Sequence, residues 1–109
     1  MAWSRFEQNS VYNYDVNAAL DAVMRTGAQL RLRVVQLDRY AYRVQFSNGI
    51  SLLTWGEKIN VSVGVLPDGR TGVHIESVSN LGIELSAKSR NEKNVLEFVN
   101  TLNYFLPPA

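Results

Sequence analysis

Residues 59–77 carry the pattern that most constrains the fold. Ile59, Val61, Val63 and Val65 recur at every second position, Pro67-Asp68-Gly69 interrupts them, and Thr71, Val73, Ile75 and Ser77 resume the period with Gly72, His74 and Glu76 between them. A period of two belongs to a strand with one buried face, because successive side chains point to opposite sides of the backbone. Pro-Asp-Gly suits a tight turn, since proline presets one backbone angle and glycine tolerates a positive one. The segment therefore reads as an antiparallel hairpin whose apolar face must be covered by a second layer.

The flanking residues supply more strands and that layer. Leu30, Leu32 and Val34 alternate with Arg31 and Arg33, and Tyr40, Tyr42, Val44 and Phe46 alternate with Arg39, Ala41, Arg43 and Gln45. These are two further strands joined near Asp38, with Tyr40 and Tyr42 expected on the inner face beside Val44 and Phe46. Ser47-Asn48-Gly49 reads as a turn, residues 50–54 as an apolar stretch without clear alternation, and residues 81–85 as a short edge strand or a loop.

Two segments have helical spacing instead. After Asn13, a residue suited to an N-cap, Val16, Ala19, Leu20 and Val23 share one face, Asp15 sits near the positive helix end, and Gly27 is expected to stop the helix. Ser89-Arg90-Asn91-Glu92 has the form of a capping box, so a second helix is predicted to begin there. It would bury Val95, Phe98, Val99, Leu102, Phe105 and Leu106, expose Lys93, Glu97 and Asn100, and end at Pro107-Pro108. Residues 1–12, with Trp3 and Phe6 among polar neighbours, read as a partly ordered arm.

A chain of 109 residues can bury one hydrophobic core but not two ordinary ones. The expected fold is a single α+β domain over residues 1–109: an N-terminal helix, an antiparallel meander of four to five strands and a C-terminal helix, with both helices on one face of the sheet.

Charge and composition exclude several roles. A net charge of +1 creates no global field to gather nucleic acid or an anionic membrane. With no cysteine there is no disulfide framework, no thiolate nucleophile and no sulfur ligand for a metal, which suits a cytoplasmic protein. The first residues lack the pattern of an export signal, and no stretch is apolar for the roughly 20 residues a membrane-spanning helix needs.

Among candidate site residues, Trp55-Gly56-Glu57 is the most individual: a glycine between a large aromatic and a carboxylate suggests a bulge or a close backbone approach where a ligand or partner could dock at Trp55 and Glu57. The plainer reading has Trp55 closing one end of the core while Gly56 lets the strand bend. Arg25, Arg31, Arg33, Arg39 and Arg43 cluster with only Asp38 among them, so Arg31, Arg33 and Arg43 are candidates for an outer binding face. Nucleic-acid-binding sheets add exposed aromatics for stacking, and with Tyr40 and Tyr42 expected inward that platform is missing. His74 is the only histidine; near Glu76 it could move a proton, but residues two apart on a strand are ordinary surface neighbours, and one histidine cannot build the usual zinc sites. The scattered carboxylates show no metal-ligand spacing, so neither a metal nor a cofactor is expected.

The run from Trp55 to Val63, the returning Thr71 to Ser77, and Lys88, Asn91, Asn94-Val95 and Phe98 at the start of the last helix resemble small uncharacterised bacterial proteins with a Trp-Gly-Glu start to a strand. Where those proteins often carry a second Trp-Gly-like step, this chain has Leu85-Ser86-Ala87-Lys88. The resemblance implies a two-layer α+β fold and supplies no reaction, cofactor or catalytic residue. The expectation for function is a non-enzymatic binding or protein-interaction module, with another protein or a second copy as partner. The alternative is a carrier of a small apolar or amphipathic ligand held between sheet and helices.

Overall fold

The computed structural model describes residues 4–48, 57–79 and 87–109, in the order β1 (Ser4–Tyr12), α1 (Val16–Gln29), β2 (Arg33–Asp38), β3 (Arg43–Asn48), β4 (Glu57–Val65), β5 (Thr71–Ser79) and α2 (Ala87–Phe105). The five strands form one antiparallel sheet in the order β1-β5-β4-β3-β2, and both helices pack against one of its faces and against each other. The expected α+β architecture and meander are present, but the first element is a strand rather than an arm. Trp3, Trp55 and residues 81–85 lie outside the described residues.

The hairpin of β4 and β5 is the middle of the sheet and follows the sequence closely. Ile59, Val61, Val63, Val73 and Ile75 are buried on the inner face, as are Thr71 and Ser77, while Asn60, Ser62, His74 and Glu76 face outward. Val65 departs from its expected face-mates, 69% exposed at the hairpin tip. In the turn, Gly69 has φ +88°, and Asp68 accepts hydrogen bonds from the backbone N–H and the guanidinium of Arg70. These bonds hold the Asp68 carboxyl below its ordinary pKa and raise that of Arg70.

β1 pairs with β5 along nine residues, from Ser4↔Ser79 to Tyr12↔Thr71. Its inner positions include Phe6, Gln8, Ser10 and Tyr12, so two polar residues interrupt the alternation that would have marked a strand. Tyr12 is fully buried and donates from its hydroxyl to Asn103 Oδ1 of α2 at 2.6 Å, which ties the sheet edge to the helix. Burial raises the Tyr12 pKa.

α1 begins one turn after β1, with Asp15 rather than Asn13 as its N-cap; the Asp15 carboxylate accepts from Ala18 N–H at 2.8 Å. Gly27 does not end this helix. A Cβ at Gly27 would stand 2.3 Å from Phe46 Cε1, so the missing side chain is what lets α1 approach the sheet. The stop comes at the C-cap Leu30, after which Arg31 takes φ +59°, its N–H bonds Ala28 C=O and the Leu32 N–H bonds Gly27 C=O, the paired bonds of a Schellman cap.

This cap shifts the next strand. β2 starts at Arg33, and an irregularity between Val34 and Gln36 leaves Val34 and Leu37 opposite the inner residues Phe46 and Val44. Tyr40 and Tyr42 are not on the inner face of a strand: Tyr40 is 99% exposed in the turn, where Asp38 accepts from the Tyr40 and Ala41 N–H groups. Tyr42 also lies in the turn and takes φ +56°, but its side chain does pack against the core, with its hydroxyl reaching Asn17 of α1. The short connection claims the residues that the alternation alone would assign to the strand.

α2 begins at Ala87, two residues before the capping-box serine, so Ser89 is exposed inside the helix and Asn91 is fully buried. Val95, Phe98, Val99, Leu102 and Leu106 form the expected buried stripe with Phe105 partly covered, and helix geometry ends before Pro107. Phe46 joins the sheet to both helices: it is fully buried, lies over Gly27 of α1, and packs its ring 5.8 Å from that of Phe98 in α2. Among the described residues no helix is long and apolar enough to cross a membrane. Replacing Gly27 with Ala removes a helix-weakening residue but drives a methyl group into the buried Phe46 ring, and overpacking outweighs the gain; we expect a net loss of about 1–3 kcal/mol in urea unfolding.

Candidate functional site

On the inner face, chemistry changes along α2. The stripe that is apolar from Val95 onward begins with Asn91 and Asn94, one turn earlier, and the sheet beneath them is polar as well. Asn48 ends β3, Glu57 begins β4, Ser79 ends β5, and α2 starts nearby in sequence, so the polar region lies where four elements have their termini. Glu57 and Ser77 point inward because they share the register of Ile59 and Ile75.

The side chains form one bonded cluster. Asn48 Nδ2 donates to Asn94 Oδ1 at 2.9 Å, Asn94 Nδ2 donates to Glu57 Oε1 at 3.0 Å and to Ser77 Oγ at 3.2 Å, and the Ser77 hydroxyl donates to Asn91 Oδ1 at 2.8 Å. Arg90 Nε meets Glu57 Oε2 at 3.4 Å. Glu57 is 7% exposed, and Ser77 and Asn91 are fully buried. A carboxylate removed from water is costly unless donors surround it, and here an amide and a guanidinium do so. Ser77 is not set up as a nucleophile, since its proton goes to an amide oxygen rather than to a base.

The sequence pattern singled out Glu57, and the structure places it at the centre of this cluster. It did not mark Asn91 and Asn94 as site residues, although both continue the Val95 and Phe98 stripe back by one turn. That continuation is the signal that could have found them, because an asparagine on the buried side of a helix needs buried partners.

The arginine face is dispersed. Arg31 forms the left-handed helix cap and lies on no strand. Arg33 and Arg43 share the outer sheet face, but they pair with Ser47 and Asp38 at opposite ends of the β2–β3 hairpin. Arg43 helps line a shallow depression of about 350 Å³ with Gln36, Asp38, Gln45, Asn60 and Ser62. Tyr40, the exposed aromatic nearby, projects from the turn rather than lying on the sheet.

The outer face carries a second polar network in cross-strand register. Gln45 donates to Asn60 at 2.8 Å, Asn60 to Glu76 at 3.2 Å, and Arg5 to Glu76 at 3.2 Å. His74, expected beside Glu76, instead bonds Glu7 across to β1, with Nε2 2.9 Å from Oε1. This bond holds the Glu7 carboxyl below its ordinary pKa, with Arg5 adding to the effect.

Two substitutions test these networks. Asn91→Ala leaves buried partners unsatisfied and should cost about 1–3 kcal/mol in urea unfolding. His74→Ala should raise the Glu7 midpoint toward its ordinary value, read from the side-chain carboxyl resonance during a pH titration. Because the folded pKa of Glu7 is depressed, the bond's contribution to stability is present above the unfolded carboxylate pKa of about 4.3 and is lost as pH falls through the lower, folded value.

No protein-family model and no curated protein sequence matches the chain. Among solved structures, it is similar to the crystal structure of Ara h 8.0201, with a TM-score of 0.61 and 10% sequence identity over 95% of this chain and 98% of that one. At that identity the likeness establishes the fold, which is Bet v 1-like.

Proposed function

We propose that the chain binds a small amphipathic ligand between its sheet and its C-terminal helix, with the ligand's polar end against Glu57, Asn91 and Asn94. One observation carries this reading: in a two-layer fold whose core is mainly apolar, a buried carboxylate, two asparagines and a serine are gathered at one end of α2. A stability role alone is a weak reason for such a cluster, because apolar side chains of similar volume serve a core as well or better. A few converging polar groups beside apolar walls are what a small-molecule site uses to orient its ligand.

The fold supports the same reading, since Bet v 1-like proteins form a family that binds hydrophobic ligands. The apolar part of the ligand lies toward Val95 and Phe98, and the polar part exchanges hydrogen bonds with the amides that otherwise satisfy Glu57 and Ser77. Phe46, Phe98 and Phe105 supply the aromatic surface; Tyr40, exposed in the turn, does not, and Tyr42 is tied to Asn17 of α1. The role is that of a binder or carrier rather than a catalyst.

Titration of isotopically labelled protein with decanoate and with decylamine, followed by amide resonances, tests the assignment. At least one probe should bind with a dissociation constant below ~1 mM. The shifts should centre on Ser77, Asn91, Asn94 and Phe98, and Glu57→Gln should change the preference between the two head groups. If neither probe moves those amides, or if the responses fall on outer-face residues such as Arg43 and Asn60, the site is not the one proposed.

A further inference from the structure

β1 is an edge strand, and among the described residues its free side is only partly covered. Leu66 N–H bonds Arg70 C=O at the mouth of the β4–β5 hairpin, so the even-numbered residues of β5 direct their backbone groups to β4 and the odd-numbered ones to β1. The register then joins those odd residues to the even residues of β1. The N–H and C=O groups of Arg5, Glu7, Asn9 and Val11 therefore face outward from the sheet. Val11 is already engaged: its C=O accepts from Ala109 N–H at 3.0 Å, so the chain's own C-terminal tail caps that end of the edge. The edge groups of Arg5, Glu7 and Asn9 have no such cap among the described residues.

We infer that this open segment pairs with the same segment of a second copy of the chain, antiparallel and centred on Phe6. A two-fold axis perpendicular to the sheet must place one residue opposite itself, which leaves few registers to compare. Centring on Arg5 sets Arg5 against Arg5, and centring on Glu7 sets Glu7 against Glu7; like charges directly opposite are unfavourable. Centring on Gln8 brings Arg5 to Val11, where Ala109 is bound. Centring on Phe6 sets Arg5 opposite Glu7 twice, and both residues have the outward backbone groups needed to exchange a pair of hydrogen bonds.

Charges on an edge strand ordinarily discourage pairing. Here their alternation discourages the neighbouring registers and spares one. In that register Phe6, partly buried beneath the helical layer, meets Phe6 of the second copy as a close cross-strand aromatic pair. Each Arg5, which within its own chain reaches Glu76 at 3.2 Å and Glu7 at 3.4 Å, lies beside the Glu7 of the other copy, so the outer-face network continues across the junction.

The native chain has no cysteine, so introduced thiols report the register without background. Oxidising a mixture of Arg5→Cys and Glu7→Cys proteins should link unlike chains faster than like ones, since directly opposite hydrogen-bonded residues lie about 5.5 Å apart, within disulfide reach. Sedimentation velocity should show a dimer that Arg5→Glu weakens about tenfold or more. Arg5→Glu combined with Glu7→Arg should restore it. The two side chains are well exposed, at 58% and 47%, and far-ultraviolet circular dichroism verifies that each variant stays folded. A strict monomer up to millimolar protein, faster linking between like chains, or a dimer indifferent to Arg5→Glu would overturn the inference.

Discussion

Phe46 holds the layers in their arrangement. It reaches the inner face from β3, its ring fills the space that Gly27 leaves open on α1, and it tilts against Phe98 of α2. A side chain in contact with the sheet and both helices fixes how close each helix can come, because packed interiors have little free volume to absorb a shift. The two helices then lie together over the sheet, and the inner ends of Ile59, Val61 and Ile75 lose contact with water.

With the middle of the interlayer space sealed by aromatic and aliphatic packing, polar inward positions can exist only toward its ends and edges. At one side, Tyr12 and Asn103 join β1 to α2 through a short hydroxyl bond. At the start of α2 the larger cluster around Glu57 forms, where the strand ends bring Asn48, Glu57 and Ser77 within reach of Asn91 and Asn94. The same packing that makes the core dry makes those groups depend on one another, because each loses water and gains a single set of partners. The proposed ligand would have to supply equivalent hydrogen bonds at this end.

The outer face obeys a different economy of contacts. Its residues remain near water, so the row from Gln45 through Asn60 and Glu76 to Arg5 adds modestly to stability but orders side chains across four strands. That order runs out at β1, where among the described residues the backbone edge beside Arg5 and Glu7 carries no cap. The two proposed partners thus meet different parts of the molecule: a small molecule inside at the Glu57 end, and a second copy at the edge.

The sequence alone determined the parts of the fold governed by local periodicity. The β4–β5 hairpin, the buried faces of both helices, the Pro107 stop and the inward course of Val44 and Phe46 were legible because each repeats an apolar residue at the spacing of its element. Glu57 was legible as an unusual residue, though not as the partner of Asn94. Tertiary structure decided what local pattern leaves open. β1 became a strand despite inward Gln8 and Ser10 because pairing with β5 satisfies its backbone on one side. Gly27 became a packing site because Phe46, nineteen positions away in sequence, occupies the space of its side chain. Arg31 became a cap, and Tyr40 was expelled into solvent, because the chain had to turn where alternation continued. Asn91 and Ser77, fourteen residues apart, acquired their meaning only when packing removed them from water together: hydrogen-bond partners are chosen by proximity in space, which periodicity along the chain does not encode.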